Sequence, residues 1–210
     1  MTRIKICGLT REEDVDAVVA SGADAIGFVF YPPSPRAVSP QRAAQLAERL
    51  PPFMTVTALF VNAAPEEIQA VLEVVPVGLL QFHGDECESE CRRWLRPYIR
   101  AARVRPGMDL LQYAAAFPSA RGILLDAFVE GYGGGGQTFD WSVIPAGMSR
   151  PLILSGGLNP GNVGDAVRQV RPQAVDVSSG VEAARGIKDA AKIAAFVAAV
   201  RAADNEVKEA

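Results

Sequence analysis

Arg3-Ile-Lys-Ile-Cys-Gly-Leu-Thr10 is the stretch from which the fold of this chain can be worked out. Its alternation of isoleucine with polar residues predicts a short strand that ends at Cys7, and Gly8 then allows a tight turn. Thr10 and Glu13 have the spacing of a capping box, which predicts that a helix begins there. Cys7 therefore ends the first strand, either as a small packed hydrophobe or as a thiol available for chemistry.

The rest of the chain repeats this order of strand, turn and apolar-periodic helix. Parallel strands need helical crossovers, so the repetition predicts an α/β fold with a parallel sheet. Eight strands and seven clear helices fit a single closed (β/α)8 TIM barrel, in which a glycine-rich loop shortens or displaces the sixth helix. An open doubly wound sheet is the alternative, but no Gly-x-Gly-x-x-Gly motif follows the first strand. The predicted strands are Arg3–Cys7, Asp24–Phe30, Thr55–Val61, Val77–Phe82, Ile99–Val104, Gly122–Asp126, Pro151–Ser155 and Ala174–Val177.

The least regular stretch lies between Phe128 and Trp141 and contains four consecutive glycines, Gly133 to Gly136. Ordering glycines costs much conformational entropy, so we expect a mobile loop that acts as a lid over a ligand. The barrel domain is expected to span residues 1–203, followed by a polar, frayed tail of residues 204–210.

Composition and charge exclude several classes of protein. The chain has 210 residues, 49% of them hydrophobic, which suffices for one large core. Its net charge of −3 and scattered basic residues give no footprint for nucleic acid. The absence of a long apolar run or a leader-like N-terminus predicts a cytoplasmic protein without membrane contact. Three cysteines indicate free thiols in a reducing compartment, and nothing in the sequence indicates the oligomeric state.

Small-residue turns follow the last two predicted strands. Gly156 and Gly157 come after the seventh strand, and Ser178, Ser179 and Gly180 come after the eighth. Glycines let backbone amides approach an anion, hydroxyls add donors, and barrels commonly bind phosphate at these two turns. The turns therefore predict a phosphorylated small-molecule substrate, with turns that need glycine for geometry alone as the alternative.

A barrel would also bring charged side chains from distant strand ends to one face. Asp126 ends an apolar strand, where a carboxylate is costly unless it is paired or used in chemistry. Asp176 alternates with two valines and should point inward, toward a ligand hydroxyl or an arginine. Arg36 lies on a proline-stiffened loop that suits a carboxylate ligand, with a solvated surface arginine as the alternative. His83, or else a packed loop histidine, and Arg103 complete the set expected to contact substrate.

His83, Cys87 and Cys91 have a spacing that superficially resembles the ligands of a metal. We reject that interpretation because His83 precedes the predicted helix and no fourth ligand is near. Acidic residues on the same helix also indicate a solvated surface. No metal is therefore expected.

Taken together, these motifs resemble those of the phosphoribosylanthranilate isomerases of tryptophan biosynthesis. The matching stretches occur in the order found in that family and cover nearly the whole chain. One departure is the loop Gly133 to Gly136, where family members often carry threonine or serine, so a looser loop than theirs is expected. The matching stretches are Lys5-Ile-Cys-Gly-Leu-Thr10, Gly27-Phe-Val-Phe30, Ser34-Pro-Arg36, Leu59-Phe-Val61, Leu80-Gln-Phe-His-Gly84, Leu125-Asp126, Phe139-Asp-Trp141, Leu154-Ser-Gly-Gly-Leu158 and Val175-Asp-Val-Ser-Ser-Gly-Val-Glu182.

The resemblance implies a cofactor-free barrel that performs an Amadori rearrangement of N-(5-phosphoribosyl)anthranilate to 1-(2-carboxyphenylamino)-1-deoxyribulose 5-phosphate. It implies Cys7 as general base, Asp126 as general acid and Arg36 as the partner of the anthranilate carboxylate, with phosphate at the two turns. The chemistry agrees, because ring opening needs a proton donor and the resulting iminium makes the sugar C2 hydrogen acidic. A free thiol is only slightly ionised at neutral pH, so the site must favour the thiolate.

Two other functions are weighed against this one. The histidine-pathway aldose–ketose isomerase is also an Amadori barrel, but that family uses an aspartate where Cys7 stands. It also carries a glycine phosphate turn in its first half, which Phe60-Val-Asn62 lacks. A non-catalytic barrel that binds a phosphorylated ligand would need neither Cys7 nor Asp126.

Overall fold

The computed structural model describes residues 1–128 and 138–209, with side chains described as far as residue 207. The predicted lid, Gly133 to Gly136, lies outside the described residues.

Eight parallel strands form a closed barrel in which each strand pairs with the next in sequence and β8 pairs with β1. The predicted barrel is therefore confirmed. Its strands are β1 Arg3–Cys7, β2 Ala25–Phe30, β3 Thr55–Phe60, β4 Leu79–Phe82, β5 Tyr98–Val104, β6 Gly122–Ala127, β7 Leu152–Leu154 and β8 Ala174–Val177.

Helices connect these strands on the outside of the barrel. Between β6 and β7 the described residues contain a 3-10 turn, Trp141–Val143, where a full helix would otherwise stand. In the part of the chain that the structure describes, no helix is long and apolar enough to cross a membrane. The helices are α1 Glu12–Ser21, α2 Pro40–Ala47, α3 Pro65–Val74, α4 Glu88–Arg92, α5 Leu110–Ala115, α6 Val163–Val170 and α7 Ala190–Glu209.

The core has two parts because alternate residues of each strand face opposite sides. Between the barrel and its helices, neighbouring strands carry a row of aromatic rings whose centroids lie 5.5 to 6.3 Å apart. Inside the barrel, a smaller apolar layer fills one end. The aromatic row consists of Phe30, Phe60, Phe82 and Tyr98, and the inner layer includes Ile99, Ala101, Leu124 and Ile153. The other end of the barrel is left for polar side chains.

A short antiparallel hairpin follows β8 and was not predicted. Its strands are β9, Glu182–Ala184, and β10, Ile187–Lys188. The Thr10 hydroxyl donates to the Gly186 carbonyl in the hairpin turn at 2.9 Å. Arg11 is the N-cap of α1, with no side-chain capping bond, so the predicted capping box is wrong. Thr10 fastens the hairpin instead.

The C-terminal segment is also different from the prediction. Helix α7 continues through Glu209, so the frayed tail expected from Asp204 is wrong. The buried Asp204 carboxylate accepts hydrogen bonds from the Thr2 amide at 2.8 and 3.0 Å and from the Thr2 hydroxyl at 2.7 Å. These bonds tie the last helix to the start of β1, which explains why polar residues there remain ordered.

Candidate active site

The carboxyl ends of the barrel strands surround a cavity of about 300 Å³. Cavities of this size at this face of a (β/α)8 barrel are where such enzymes hold their substrates. All of the predicted site residues except Arg103 and Gly180 line it. The lining residues that were predicted are Cys7, Arg36, His83, Asp126, Gly156, Gly157, Asp176, Ser178 and Ser179.

Cys7 has a lysine for its neighbour. Lys5 and Cys7 are alternate residues of β1 and so share its inner face. The Lys5 Nζ donates to Asp176 Oδ1 at 2.8 Å, and both side chains are buried. Gly27 faces the pair from β2, where an added β-carbon would lie 2.8 Å from Cys7 Sγ and 3.1 Å from Lys5 Nζ. The thiol and the ammonium therefore lie side by side in a space that only glycine leaves open.

Burial and charge act on this thiol in opposite directions. Burial raises the pKa of Cys7 above its usual value, and the Lys5 ammonium works against that rise. The Asp176 carboxylate adds to the rise, and Lys188 opposes it more weakly. Burial also opposes the charge on Lys5, but Asp176 and Cys7 outweigh it and raise the pKa of Lys5. Burial therefore disfavours the thiolate, and the Lys5 ammonium beside it offsets part of that effect.

Arg36 is held by a buried carboxylate from the hairpin. Its Nε and Nη2 donate to the two oxygens of Glu182 at 2.7 and 2.8 Å, and Lys188 Nζ approaches the same carboxylate at 2.9 Å. Arg36 also packs against Gly8, where an added β-carbon would lie 2.5 Å from its Cδ. Glu182 thus holds Nε and Nη2 of the guanidinium, which leaves Nη1 to bind a ligand.

His83 and Asp126 meet across the cavity. Gln81 Nε2 lies 3.1 Å from His83 Nδ1, and His83 Nε2 lies 3.2 Å from Asp126 Oδ2. All three side chains are buried. Asp126 comes from β6 and Cys7 from β1, so the carboxyl group and the thiol enter the cavity from separate strands.

The predicted phosphate turns lie at the same cavity. Gly156 and Gly157 adopt left-handed backbone angles, with φ of 81° and 63°. An added β-carbon on Gly156 would lie 2.5 Å from the Ala127 amide nitrogen, so the turn is packed against the end of β6. The Ser178 hydroxyl donates to the Cys7 carbonyl at 3.0 Å, which ties the second turn to β1.

Two predicted site residues lie elsewhere. Arg103 points toward the loop after β4 and pairs with the exposed Asp85 at 2.9 Å, outside the cavity. Gly180 packs between the two turns, where an added β-carbon would lie 1.9 Å from the Leu158 carbonyl oxygen. Arg103 is therefore not positioned in the cavity, and Gly180 serves the geometry of the turn.

The cysteines after His83 do not form a metal site with it. Cys91 is fully buried in the apolar core, whereas Cys87 is exposed. Within residues 1–128 and 138–209, no group of three histidine, cysteine or acidic side chains is arranged to hold a metal ion.

Several functional residues were missed by the sequence interpretation. Lys5 stands two residues before Cys7 on β1, and Gln81 on β4 stands two residues before His83, which follows that strand, so strand alternation could have found both. Glu182 and Lys188 lie in the unpredicted hairpin, and Arg185 in its turn lines the cavity. Of the arginines that line the cavity in the described part of the chain, Arg36 is paired with a carboxylate and Arg185 is not.

A thiol, a carboxyl group and two small-residue turns lie together at the carboxyl end of a closed barrel, the end at which (β/α)8-barrel enzymes carry their active sites. A family model described as N-(5'phosphoribosyl)anthranilate (PRA) isomerase matches residues 4–199. The chain belongs to this family, whose members isomerise an aldose to a ketose in tryptophan biosynthesis.

Individual relatives agree with the family model. The N-(5'-phosphoribosyl)anthranilate isomerase of Dechloromonas aromatica is 68% identical over 206 residues, covering 98% of this chain and 99% of the relative. The crystal structure of the Thermotoga maritima enzyme matches with a TM-score of 0.89 and 45% identity, covering 96% of this chain and all of that one. A solved relative in complex with reduced 1-(o-carboxyphenylamino)-1-deoxyribulose 5-phosphate matches with a TM-score of 0.86 and 42% identity, covering 96% of this chain and 100% of that one.

Proposed function

We propose that the cavity carries out the Amadori rearrangement of N-(5-phosphoribosyl)anthranilate, with Asp126 as general acid and Cys7 as general base. The observation that carries this proposal is the placement of a buried thiol beside the Lys5 ammonium, in the same cavity as a carboxyl group from another strand. An acid and a base that enter from separate strands can act on different atoms of one bound substrate.

The reaction then begins with two proton transfers and ends with a tautomerisation. Asp126 gives its proton to the furanose oxygen, the bond from C1 to that oxygen breaks, and the nitrogen lone pair forms a C1=N iminium. The Cys7 thiolate takes the C2 proton, and the electrons of that bond form an enaminol. The enaminol becomes the ketone when its hydroxyl proton is lost and C1 is protonated. Each step needs only a modest acid or base because the iminium acts as the electron sink.

Two sets of groups in the cavity would hold the two charged ends of the substrate. The turns at Gly156, Gly157, Ser178 and Ser179 would receive the phosphate through backbone amides and hydroxyls. Nη1 of Arg36 would receive the anthranilate carboxylate. A solved relative is in complex with reduced 1-(o-carboxyphenylamino)-1-deoxyribulose 5-phosphate, which carries both groups, and this supports a ligand with these two ends.

The proposal also covers the location of the enzyme and the extent of its catalytic barrel, and neither requires a partner macromolecule. Cys7, Cys87 and Cys91 are free thiols, which supports a reducing, cytoplasmic location for the enzyme. Residues 1–203 form the catalytic barrel, and residues 204–209 belong to its last helix.

A fluorescence assay that follows loss of the anthranilate substrate tests the function. We expect turnover with this substrate and none with the corresponding histidine-pathway intermediate. Asp126→Asn should lower kcat by about a hundredfold, because an amide cannot supply the proton. Activity on the histidine intermediate alone would contradict the proposal, and so would tight product binding without turnover.

A further inference from the structure

Three buried side chains form a row along the wall of the cavity. Gln81 Nε2 contacts His83 Nδ1 at 3.1 Å, and His83 Nε2 contacts Asp126 Oδ2 at 3.2 Å. Gln81 is 1% exposed, His83 6% and Asp126 7%. Because these side chains are largely shielded from solvent, their contacts with one another restrict the direction of each hydrogen bond.

The amide of Gln81 determines which nitrogen of the imidazole carries a proton. A neutral imidazole has one donor nitrogen and one acceptor nitrogen, whereas an amide nitrogen only donates. His83 Nδ1 must therefore accept from Gln81, and His83 Nε2 carries the proton and donates to Asp126. An N–H on Nδ1 would point at the N–H of Gln81, so this contact selects the tautomer with its proton on Nε2.

The cost of burying Gln81 supports a directional role. Its Oε1 is buried and has no hydrogen-bond partner in the described part of the structure. A buried acceptor without a partner lowers stability, and an apolar side chain of the same size would avoid that loss. Glutamine at this position thus lowers the stability of the fold. Its amide contacts His83, so this contact is the reason we give for a glutamine here.

We propose that Gln81 is a positioning residue that holds His83 as the neutral Nε2–H tautomer, so that Asp126 carries its transferable proton on Oδ1. Oδ1 faces the Gly156 turn, where an added β-carbon would lie 3.1 Å from it. When Asp126 gives up the proton, the donor on His83 Nε2 stabilises the carboxylate that forms. The inference rests on the proposed role of Asp126 as the acid.

The chain contains a single histidine, which makes the tautomer directly measurable. Protein labelled with ring-¹⁵N histidine gives two ring nitrogen signals, both from His83. We expect an unprotonated, pyridine-type Nδ1 and a protonated, pyrrole-type Nε2 at neutral pH. A protonated Nδ1 in the native protein would overturn the inference without any variant being made.

Gln81→Glu keeps the shape of the side chain but replaces the donor with an acceptor. It should protonate His83 Nδ1 and lower kcat by about tenfold or more, with little change in KM. Gln81→Met removes both polar atoms and should give a mixture of tautomers with a smaller loss of kcat. Gln112→Glu on the exposed face of α5 is the matched control and should change neither signal nor rate.

An unchanged ¹⁵N spectrum and an unchanged kcat in Gln81→Glu would overturn the inference. If that variant fails to fold, the native spectrum and Gln81→Met still decide it. Full turnover in Asp126→Asn would instead remove the acid role of Asp126, while the labelled histidine would still report which tautomer Gln81 holds. The two failures are therefore distinguishable.

Discussion

Lys5 Nζ lies 2.8 Å from Asp176 Oδ1, in register across the seam where β8 closes the barrel against β1. The same ammonium is adjacent to the Cys7 thiol. Closure of the barrel thus places a buried cation where the proposed base must become an anion. Since Asp176 shares that cation, the thiolate is favoured only in part, which agrees with the raised pKa of Cys7 that burial produces.

Removing this cation should move the pH dependence of the reaction. Burial raises the pKa of Cys7 and Lys5 opposes that rise, so Lys5→Met raises the pKa further. Because the thiolate is the base, the rate rises with pH through this pKa. In Lys5→Met, the rising limb of the plot of kcat against pH should move to higher pH. The rate at neutral pH should fall in proportion to the fraction of Cys7 present as thiolate, about tenfold if the Cys7 thiol becomes a tenfold weaker acid.

Arg3→Met is the matched control for Lys5→Met. It removes a cation from the same strand, but Arg3 is exposed and pairs with Asp24 away from the cavity. Its pH profile should match that of the native enzyme. A Lys5→Met profile that also matches would show that the ammonium does not support the thiolate.

Glu182→Gln should destabilise the fold because it leaves two buried cations without a carboxylate partner. Both Arg36 and Lys188 are buried against this carboxylate. Breaking a buried ion pair by removing one partner typically costs about 3–5 kcal/mol, measurable by urea unfolding. Glu12→Gln removes a half-exposed partner of Arg42 and should cost less than about 1 kcal/mol. Equal losses in the two variants would contradict the structural role given to Glu182.

The same carboxylate makes a pH-dependent contribution to stability. Burial opposes its charge, but Arg36 and Lys188 outweigh burial and lower the pKa of Glu182 below 4.5. A lowered folded pKa means that the contribution is fully present above the unfolded value and is lost as pH falls through the folded value. The difference in the free energy of unfolding between the native protein and Glu182→Gln should therefore become smaller as the pH is lowered below 4.5.

Arg185 should contribute to substrate capture rather than to chemistry. It lies in the hairpin turn at the cavity, and the substrate carries both a phosphate and a carboxylate. Arg185→Ala should raise KM about threefold at low ionic strength, less at high salt, with kcat unchanged. Arg171→Ala, at the end of α6, removes a cation away from the cavity and should leave KM unchanged. A fall in kcat with constant KM would contradict this role.

Gly157 tests the phosphate turn. Gly157→Val places a side chain where a phosphate would approach the backbone, and we expect KM for the substrate to rise about tenfold. Gly147 has a similar left-handed backbone and open space around it, so Gly147→Val carries comparable strain without touching the cavity. If KM does not rise above that of the Gly147 variant, the phosphate does not bind at this turn.

The repeated order of strand, turn and helix predicted the barrel because parallel neighbouring strands need helical crossovers. The interval of two residues that locates Cys7 and Asp176 on inner faces also applies to Lys5 and Gln81, which were overlooked although their positions were predictable. Arg103 also follows that interval, but its long side chain reaches Asp85 in the loop after β4. The position of a loop cannot be predicted from the periodicity of the strands.

Contacts between distant parts of the chain account for the remaining differences between the predicted and the observed structure, which are the hairpin and the end of the last helix. The hairpin that supplies Glu182 has strands of three and two residues, which are too short to show a period. Asp204 belongs to a polar segment, and its partner Thr2 lies 202 residues away. Local composition therefore indicates fraying where the folded protein has a buried hydrogen bond. Such pairings depend on how the barrel closes and have no local signal.

The kcat of Cys7→Ala tests the central claim, that the buried thiol on β1 is the base. The substitution removes the sulfur but little volume, and the exposed Cys87→Ala is the matched control. We predict that Cys7→Ala lowers kcat by about a hundredfold or more while Cys87→Ala leaves it unchanged. Turnover in Cys7→Ala equal to that of the native enzyme would contradict the account.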